Sequence, residues 1–272
     1  MSVLEGQQWQ HAVAKTQNPD LFRYLQDLMI QLPLIMETFD SRPTAANSGA
    51  TKRANRVLLT WSLQSCSNLN ADLLSWYKQL RTQISRMLYW TVPCMARSPA
   101  DNAVHGPVFP LAFEFASLSV AQLLLLYWST LILLYRVIRE VLQELEQHSM
   151  EESMVHDNLG NLETIDSDES GFNHRFERGQ LPCLDSSSKP YPSNKDIALL
   201  ANNICQSMEY CYLTKSGTLG LQSTIFPLWV AQDFYASQPD RSREMLWCSE
   251  VHNMIGPNSR YGVKVMRFAK DN

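Results

Sequence analysis

The closest pair of glycines that could form a ligand-binding loop is Gly217-Thr218-Leu219-Gly220. A phosphate-binding loop needs closely spaced glycines before a helix, so that backbone N–H groups can approach the anion. Here no lysine follows the second glycine, no strand pattern precedes the first, and no serine lies between the two, as a hydrolase would require. The spacing therefore predicts a turn between two helices.

The six cysteines do not have the spacing of a zinc site, which normally includes a close pair such as C-x2-C. The nearest two, Cys205 and Cys211, are six residues apart, and on a helix their side chains would point about 240° apart. We expect no metal and no cofactor. The cysteines are interpreted as small buried hydrophobes of a reducing compartment: Cys66, Cys94, Cys183, Cys205, Cys211 and Cys248.

Nucleophilic catalysis would need a cysteine or serine beside a histidine and an orienting carboxylate. Only His105 and His252 lie where a rigid site could form, and each is more typical of a surface or packed histidine. We therefore assign no catalytic residue, although the sequence leaves an enzymatic role open. The other candidates lie in or beside an acidic stretch where solvated charges are expected: His148, His156, His174, Glu151-Glu152 and Asp168-Glu169.

Tryptophans occur in nearly every predicted helix, and two interpretations stay open. Large rings dominate contacts between helices, so core packing is the simpler account. The alternative is an aromatic-walled pocket at the centre of a helical bundle that binds a small apolar effector. The residues are Trp9, Trp61, Trp76, Trp90, Trp128, Trp229 and Trp247.

Charge is distributed unevenly along the 272 residues, which carry 23 Lys+Arg against 27 Asp+Glu and a formal net charge of −4. Twelve acidic and two basic residues lie between Glu140 and Asp185, so the rest of the chain is formally +6. Residues 140–192 are thus predicted to form a disordered acidic connector, with too few apolar groups to offset the entropy of ordering it. The overall balance argues against an independent nucleic-acid binder.

Helical periodicity on both sides of this connector predicts one all-α domain of about seven to nine helices. An N-terminal extension at 1–17 precedes the first helical half at 18–139, and the second half follows at 193–272. Asn18-Pro19 marks one helix start, while Leu69, Leu73, Trp76 and Leu80 form a buried stripe on another helix. No strand-like alternation of useful length is evident.

Four further helix boundaries are predicted. Pro33 kinks or ends the first helix, and a long apolar helix begins near Leu111. Ser193 and Asp196 have capping-box spacing. A helix near the C-terminus is predicted to begin at Pro227. The last predicted helix has Ser237 as its N-cap, Pro239 at its first position and Gly256-Pro257 as its stop.

The 21 uncharged residues from Phe115 to Tyr135 have the length of a membrane span. Ser117, Gln122 and Ser129 interrupt the run, and the rest of the chain supplies enough amphipathic helices to surround it. A helix that is apolar all round is either buried or membrane-embedded. We therefore expect a central core helix and no membrane association.

Four segments of the C-terminal third carry a family resemblance. They are Ala201–Cys211, Gly217–Gln222, Phe226–Ala231 and Glu244–Cys248, the last containing a Trp-Cys pair. Together they resemble the regulatory domain of fungal zinc-cluster transcription factors, in which a helix leads through a glycine turn into a helix opening with an aromatic-Pro step. The zinc cluster that reads DNA in that family is absent, because no six cysteines have its C-x2-C-x6-C type spacing.

The resemblance implies a fungal-specific transcriptional regulator without direct nucleic-acid contact, located in the nucleus or alternatively the cytoplasm. Its expected partners are proteins of the transcription machinery or a full-length regulator, together with a small apolar effector. Control of a secondary-metabolite pathway is one expected role. The alternative is a biosynthetic enzyme or small-molecule-binding protein of such a pathway, reusing a regulatory domain that has lost its DNA-binding end.

Overall fold

The computed structural model describes residues 19–41, 49–84, 86–98, 100–101, 106–159, 192–213, 218–255 and 267–268. Six helices lie in these ranges, and they make the protein all-α as predicted. They are α1 (Pro19–Asp40), α2 (Gly49–Gln83), α3 (Leu118–Leu159), α4 (Asn194–Leu213), α5 (Thr218–Ala236) and α6 (Ser242–Ile255). Four short strands accompany them: β1 (Tyr89–Pro93), β2 (Ala96–Arg97), β3 (Leu111–Phe115) and β4 (Arg267–Phe268).

Helix α3 forms the centre of the fold and contacts α1, α2, α4, α5 and β3. From Val120 to Tyr135 each of its residues is buried or half-buried. By length and composition Leu118–His148 could cross a membrane, yet two thirds of its most apolar window is buried within this chain. The hydroxyls of Ser129 and Thr130 donate to carbonyl oxygens one turn earlier, at 2.7 and 2.8 Å, so these buried polar groups are satisfied inside the helix.

Helices α1 and α2 are joined to α3 through Trp76, which is fully buried. Its indole Nε1–H donates to the backbone oxygen of Leu21 in α1 at 2.8 Å, and its ring stacks on Tyr127 of α3 with the ring centroids 5.3 Å apart. The predicted stripe is confirmed, because Leu69, Leu73 and Leu80 are buried beside it. Burial of this face holds the 35-residue helix in place.

None of the four strands was predicted from the sequence. β1 and β3 pair antiparallel from Tyr89 opposite Phe115 to Pro93 opposite Leu111. The predicted start of the apolar helix at Leu111 is therefore wrong, and α3 begins at Leu118. Aromatic side chains of both strands explain the difference, because Phe115 of β3 packs on Tyr210 of α4 while Tyr89 of β1 packs edge-on against Trp128 of α3. A second short antiparallel pair joins β2 to β4.

Helix boundaries agree with the sequence at some positions and differ at others. α1 starts at Pro19 as predicted but continues through Pro33 to Asp40. The capping box is confirmed, since the Ser193 N–H donates to Asp196 Oδ2 at 2.7 Å and the Asp196 N–H donates to Ser193 Oγ at 3.4 Å. α3 extends to Leu159, so the boundary predicted at 140 lies within a helix. Most of the predicted connector and the extension 1–17 lie outside the described residues.

The last two helices begin elsewhere than predicted. Helix α5 starts at Thr218 and contains Pro227 in its interior. Residues 237–241 form a turn, in which Ser237 Oγ donates to the Phe234 carbonyl at 2.7 Å instead of capping a helix. α6 therefore starts at Ser242, after Pro239 rather than at it. It ends at Ile255, directly before the predicted glycine stop.

Candidate functional site

The residues singled out from sequence do not meet in one catalytic constellation within the described part of the chain. His252 is half-buried in α6, and its Nδ1 has no hydrogen-bond partner among the described residues. His105 lies outside the described residues. Cys205 and Cys211 are both buried in α4 and have different surroundings. No group of three metal-ligating side chains occurs among the residues that the structure describes.

A buried carboxylate forms the most highly connected polar site. Glu209 of α4 is 9% exposed, and its Oε2 accepts hydrogen bonds from the Met95 N–H at 3.0 Å, the Ala96 N–H at 3.1 Å and the Cys94 thiol at 3.0 Å. Cys94 and Met95 lie between β1 and β2, and Ala96 is the first residue of β2. All three donors come more than 110 residues earlier in the chain than Glu209. We call this arrangement the Glu209 clamp. It fixes the β1–β2 connection against the helix that carries the first resemblance segment.

Three further hydrogen bonds hold the loop beside this clamp. Asp101 accepts the backbone N–H groups of Ser98 at 2.9 Å and Val108 at 2.8 Å through its two carboxylate oxygens. The Ser98 hydroxyl donates to Glu250 of α6 at 3.1 Å. A cavity of about 10 Å³ lies between these groups, bounded also by Cys94, Gln206 and Trp247. That volume accommodates about one water molecule.

A pair of thiols links α4 to α6. The Sγ atoms of Cys205 and Cys248 lie 3.5 Å apart, and both side chains are buried. Burial raises the pKa of the Cys205 thiol well above its usual range, and the neighbouring Cys248 adds to the effect. The Cys205 thiol is consequently held neutral, as expected for a packing residue rather than a nucleophile. Tyr235 of α5 also joins this region, because its hydroxyl donates to Asn202 at 2.6 Å.

The buried thiols should make the protein lose stability at alkaline pH. Burial raises the pKa of Cys66 and of Cys211 to about 12. Because the unfolded thiols ionise near pH 8.5 and the native ones do not, their contribution is fully present below that pH and falls as the pH rises toward 12. We expect each thiol to cost about 2 kcal/mol of unfolding free energy between pH 8 and pH 10.

Urea denaturation at these two pH values measures this loss. Cys66→Ala should unfold more easily at both pH values, because it leaves a cavity, yet its stability should depend less on pH than that of the unaltered protein. An equal pH dependence in both proteins would contradict the assignment for Cys66.

The tryptophans divide into two groups of three. Trp76, Trp128 and Trp247 are buried in the core, which confirms the packing interpretation for these three. Trp61, Trp90 and Trp229 are 40–50% exposed. Trp9 lies outside the described residues.

Helix α5 has an uncovered apolar face. Its inward residues, including Leu228 and Tyr235, are fully buried, but Leu219, Ile225 and Phe226 are about 40% exposed. Trp229 is 50% exposed and stacks on Phe226, with the ring centroids 6.4 Å apart. The helix carries no charge from Thr218 to Gln232. We call these four exposed side chains the α5 face.

A second exposed surface lies on the N-terminal half of α2. It is an open surface on one side of the helix, where the apolar side chains of Val57 and Trp61 lie beside cationic and amide ones. We call it the α2 surface. It is lined by Arg53, Arg56, Val57, Thr60, Trp61 and Gln64.

The Glu209 clamp and the α2 surface were not predicted from the sequence. A signal existed for each. Glu209 is, apart from Asp196 in the first turn, the only acidic residue of α4, and it directly follows the apolar position Met208. The α2 surface belongs to the stretch between Asp40 and Asp72, which contains four basic residues and no acidic one.

Comparison of the chain with family models, with curated proteins and with solved structures found no match.

Proposed function

We propose that this chain is a transcriptional regulatory domain of the fungal zinc-cluster type that acts through protein contacts in the nucleus and does not itself read DNA. The four segments that resemble that family lie on or immediately before three consecutive helices, α4, α5 and α6. α4 packs on α5, and α5 packs on α6. The resembling residues are therefore parts of one packed unit rather than scattered matches.

The observation that carries the proposal is the α5 face. Inward-facing residues of the resembling segments build the core, since Met208, Leu228 and Trp247 are buried, whereas Phe226 and Trp229 of the same segments remain at the surface. Clusters of exposed aromatic and aliphatic side chains mark interaction sites on soluble domains. Because this face lacks charge, its partner should present an uncharged apolar helix surface of a transcription protein.

A tethering assay in a fungal host tests this function. The full chain fused to an unrelated DNA-binding module should change expression of a reporter gene about fivefold relative to the module alone, which is the effect of about 1 kcal/mol of recruitment. The double substitution F226A/W229A should abolish the change, because aromatic side chains dominate interface energy. Ile30→Ala removes a similarly exposed apolar side chain from α1 and should leave the reporter response intact.

An unchanged reporter with a normally expressed fusion would overturn the regulatory function. In that case deletion of the gene distinguishes the biosynthetic alternative. A biosynthetic protein would cause a pathway intermediate to accumulate while transcript levels stay constant. A regulator would alter the transcript levels themselves.

A further inference from the structure

The thiols of Cys205 and Cys248 are in contact across the boundary between α4 and α6. The two residues are 43 positions apart in the chain, and their Sγ atoms lie 3.5 Å from each other. Forming a disulfide would require these sulfur atoms to approach by roughly 1.5 Å. Rotation of the two side chains, together with small shifts of the helices, can supply a movement of that size.

The other buried cysteines of the described residues have different surroundings. Burial raises the pKa of Cys66 and of Cys211 without a contribution from a second thiol. The pKa of Cys205 is raised first by burial and then by the neighbouring thiol of Cys248. The contact between Cys205 and Cys248 therefore distinguishes this pair from cysteines that only fill space in the core.

The pair joins two helices that have few other direct contacts. Helix α5 packs on both α4 and α6, whereas α4 and α6 approach each other at few positions. A covalent bond between Cys205 and Cys248 would close a loop that contains the whole of α5. The bond would therefore hold together three helices whose main link is packing through α5.

A small oxidant has a place beside this pair in the cavity next to the Glu209 clamp. Cys205 lines that cavity together with Trp247, and its volume of about 10 Å³ accommodates about one water molecule. Hydrogen peroxide is one oxygen atom larger than water, so it needs only a small movement of the lining side chains. A bulky thiol reagent would need a much larger opening.

We propose that Cys205 and Cys248 are a site of reversible oxidation, at which hydrogen peroxide converts the two thiols to a disulfide that joins α4 to α6. One sulfur, after losing its proton, attacks an oxygen of the peroxide, which gives a sulfenic acid and one water molecule. The other thiol attacks the sulfenic sulfur, which forms the S–S bond and releases a second water molecule. The two thiols lose two electrons and two protons in total, and the peroxide accepts all of them.

Burial makes this oxidation slow. The Cys205 thiol is held neutral, and the thiolate is the form that reacts. The disulfide should therefore form over hours in excess peroxide, and an added dithiol should reverse it. The pair lies in the core between the helices rather than on the α5 face, so the inference goes beyond the proposed function and does not depend on it.

Peptide mapping of the full chain tests the proposal. The purified protein is incubated with hydrogen peroxide under native conditions, its remaining thiols are blocked with N-ethylmaleimide in denaturant, and trypsin digestion follows without reductant. The tryptic peptides 196–215 and 244–260, which contain Cys205 and Cys248, should appear as one linked species that separates after reduction. Peptide 87–97, which contains Cys94, should stay unlinked.

Two variants assign the bond to Cys205. Cys205→Ala should abolish the linked species. Cys211→Ala is the matched control, because it removes a buried cysteine from the same helix and the same tryptic peptide, and it should leave the linked species unchanged.

Urea denaturation provides a second measurement that does not depend on the variants. The oxidised protein should unfold at a urea concentration about 1 M higher than the reduced protein, because the bond restricts the unfolded chain. Reduction should return the midpoint to its original value. Peroxide treatment of Cys205→Ala should produce no such rise.

The proposal fails on any of three outcomes. They are absence of the linked species after prolonged treatment of the folded protein, a link from Cys205 to Cys94 instead, and a lower urea midpoint in the oxidised protein. The last would show that the bond does not fit the native packing of α4 and α6. All measurements use the purified chain without a reporter gene, so failure here is distinguishable from failure of the regulatory function.

Discussion

Replacing Gly220 with alanine should destabilise the protein by about 3 kcal/mol, at the upper end of the range for overpacked positions. A Cβ atom at this position of α5 would overlap the backbone carbonyl oxygen of Cys211 in α4 and lie 3.3 Å from its carbonyl carbon. Neither atom belongs to a side chain that could rotate away. The added methyl group would therefore push apart two helices that both contain segments of the family resemblance.

Urea denaturation of Gly220→Ala measures this effect, and Gly106→Ala is its matched control. Gly106 has a φ of +68°, and a Cβ atom added there would meet no atom within 4 Å. Its substitution should cost only the strain of a left-handed backbone, about 1 kcal/mol. Similar losses for the two variants would show that close packing of α5 on α4 is not what Gly220 provides.

The role of Gly220 shows which part of the fold is visible in the sequence. The spacing of Gly217 and Gly220 predicts a turn between two helices from local backbone preferences. The position is only partly right, because α4 ends at Leu213 and α5 already starts at Thr218, so Gly220 lies within a helix. Close approach of α5 to Cys211 depends on how α4 and α5 pack, and no local pattern encodes it. The all-α class, the Trp76 stripe and the Ser193 capping box were predictable for the same local reason, since each depends on residues within a few turns of one helix.

The antiparallel pair of β1 and β3 and the starts of α3 and α6 were not predictable in this way. β3 reads Leu-Ala-Phe-Glu-Phe, five residues that precede a long apolar run and merge with it in any search for helical periodicity. Its partner strand β1 lies some twenty residues earlier in the chain, and its aromatic side chains pack on α3 and α4. The turn at 237–241 has the residues expected of a helix start, yet the chain uses them to redirect α5 into α6.

The Glu209 clamp also depends on contacts between distant parts of the chain. In the sequence Glu209 is a single acid within an apolar helix, which is equally consistent with an exposed position. Its donors, Cys94, Met95 and Ala96, reveal nothing by their residue types, because two of the three hydrogen bonds come from the backbone. The tertiary fold alone brings the carboxylate and these donors together.

Glu209→Ala should lower the free energy of unfolding by about 3 kcal/mol, because it removes the carboxylate acceptor of the half-buried Met95 N–H and the buried Ala96 N–H. The loss should be smaller for Glu209→Gln, about 1 kcal/mol, since an amide oxygen placed at the Oε2 position retains three of the four acceptor contacts and only the contact of Oε1 with the Met95 N–H is lost. Glu209→Ala should therefore lose more stability than Glu209→Gln, because alanine loses these hydrogen bonds and glutamine keeps most of them.

Chemical denaturation measures both variants, and Glu140→Ala provides the control. Glu140 pairs with Arg136 across 3.5 Å at the surface of α3, where both side chains are nearly half exposed. Loss of such an exposed ion pair should cost about 0.5 kcal/mol or less.

The Glu209 clamp predicts a second effect of Glu209→Ala, on the reactivity of Cys94. The Cys94 thiol loses its acceptor together with Met95 and Ala96, so it should react faster with a thiol reagent under native conditions, while Cys211 in the core stays protected. Equal reactivity of Cys94 in the unaltered protein and the variant would mean that the β1–β2 connection is held in place without the carboxylate.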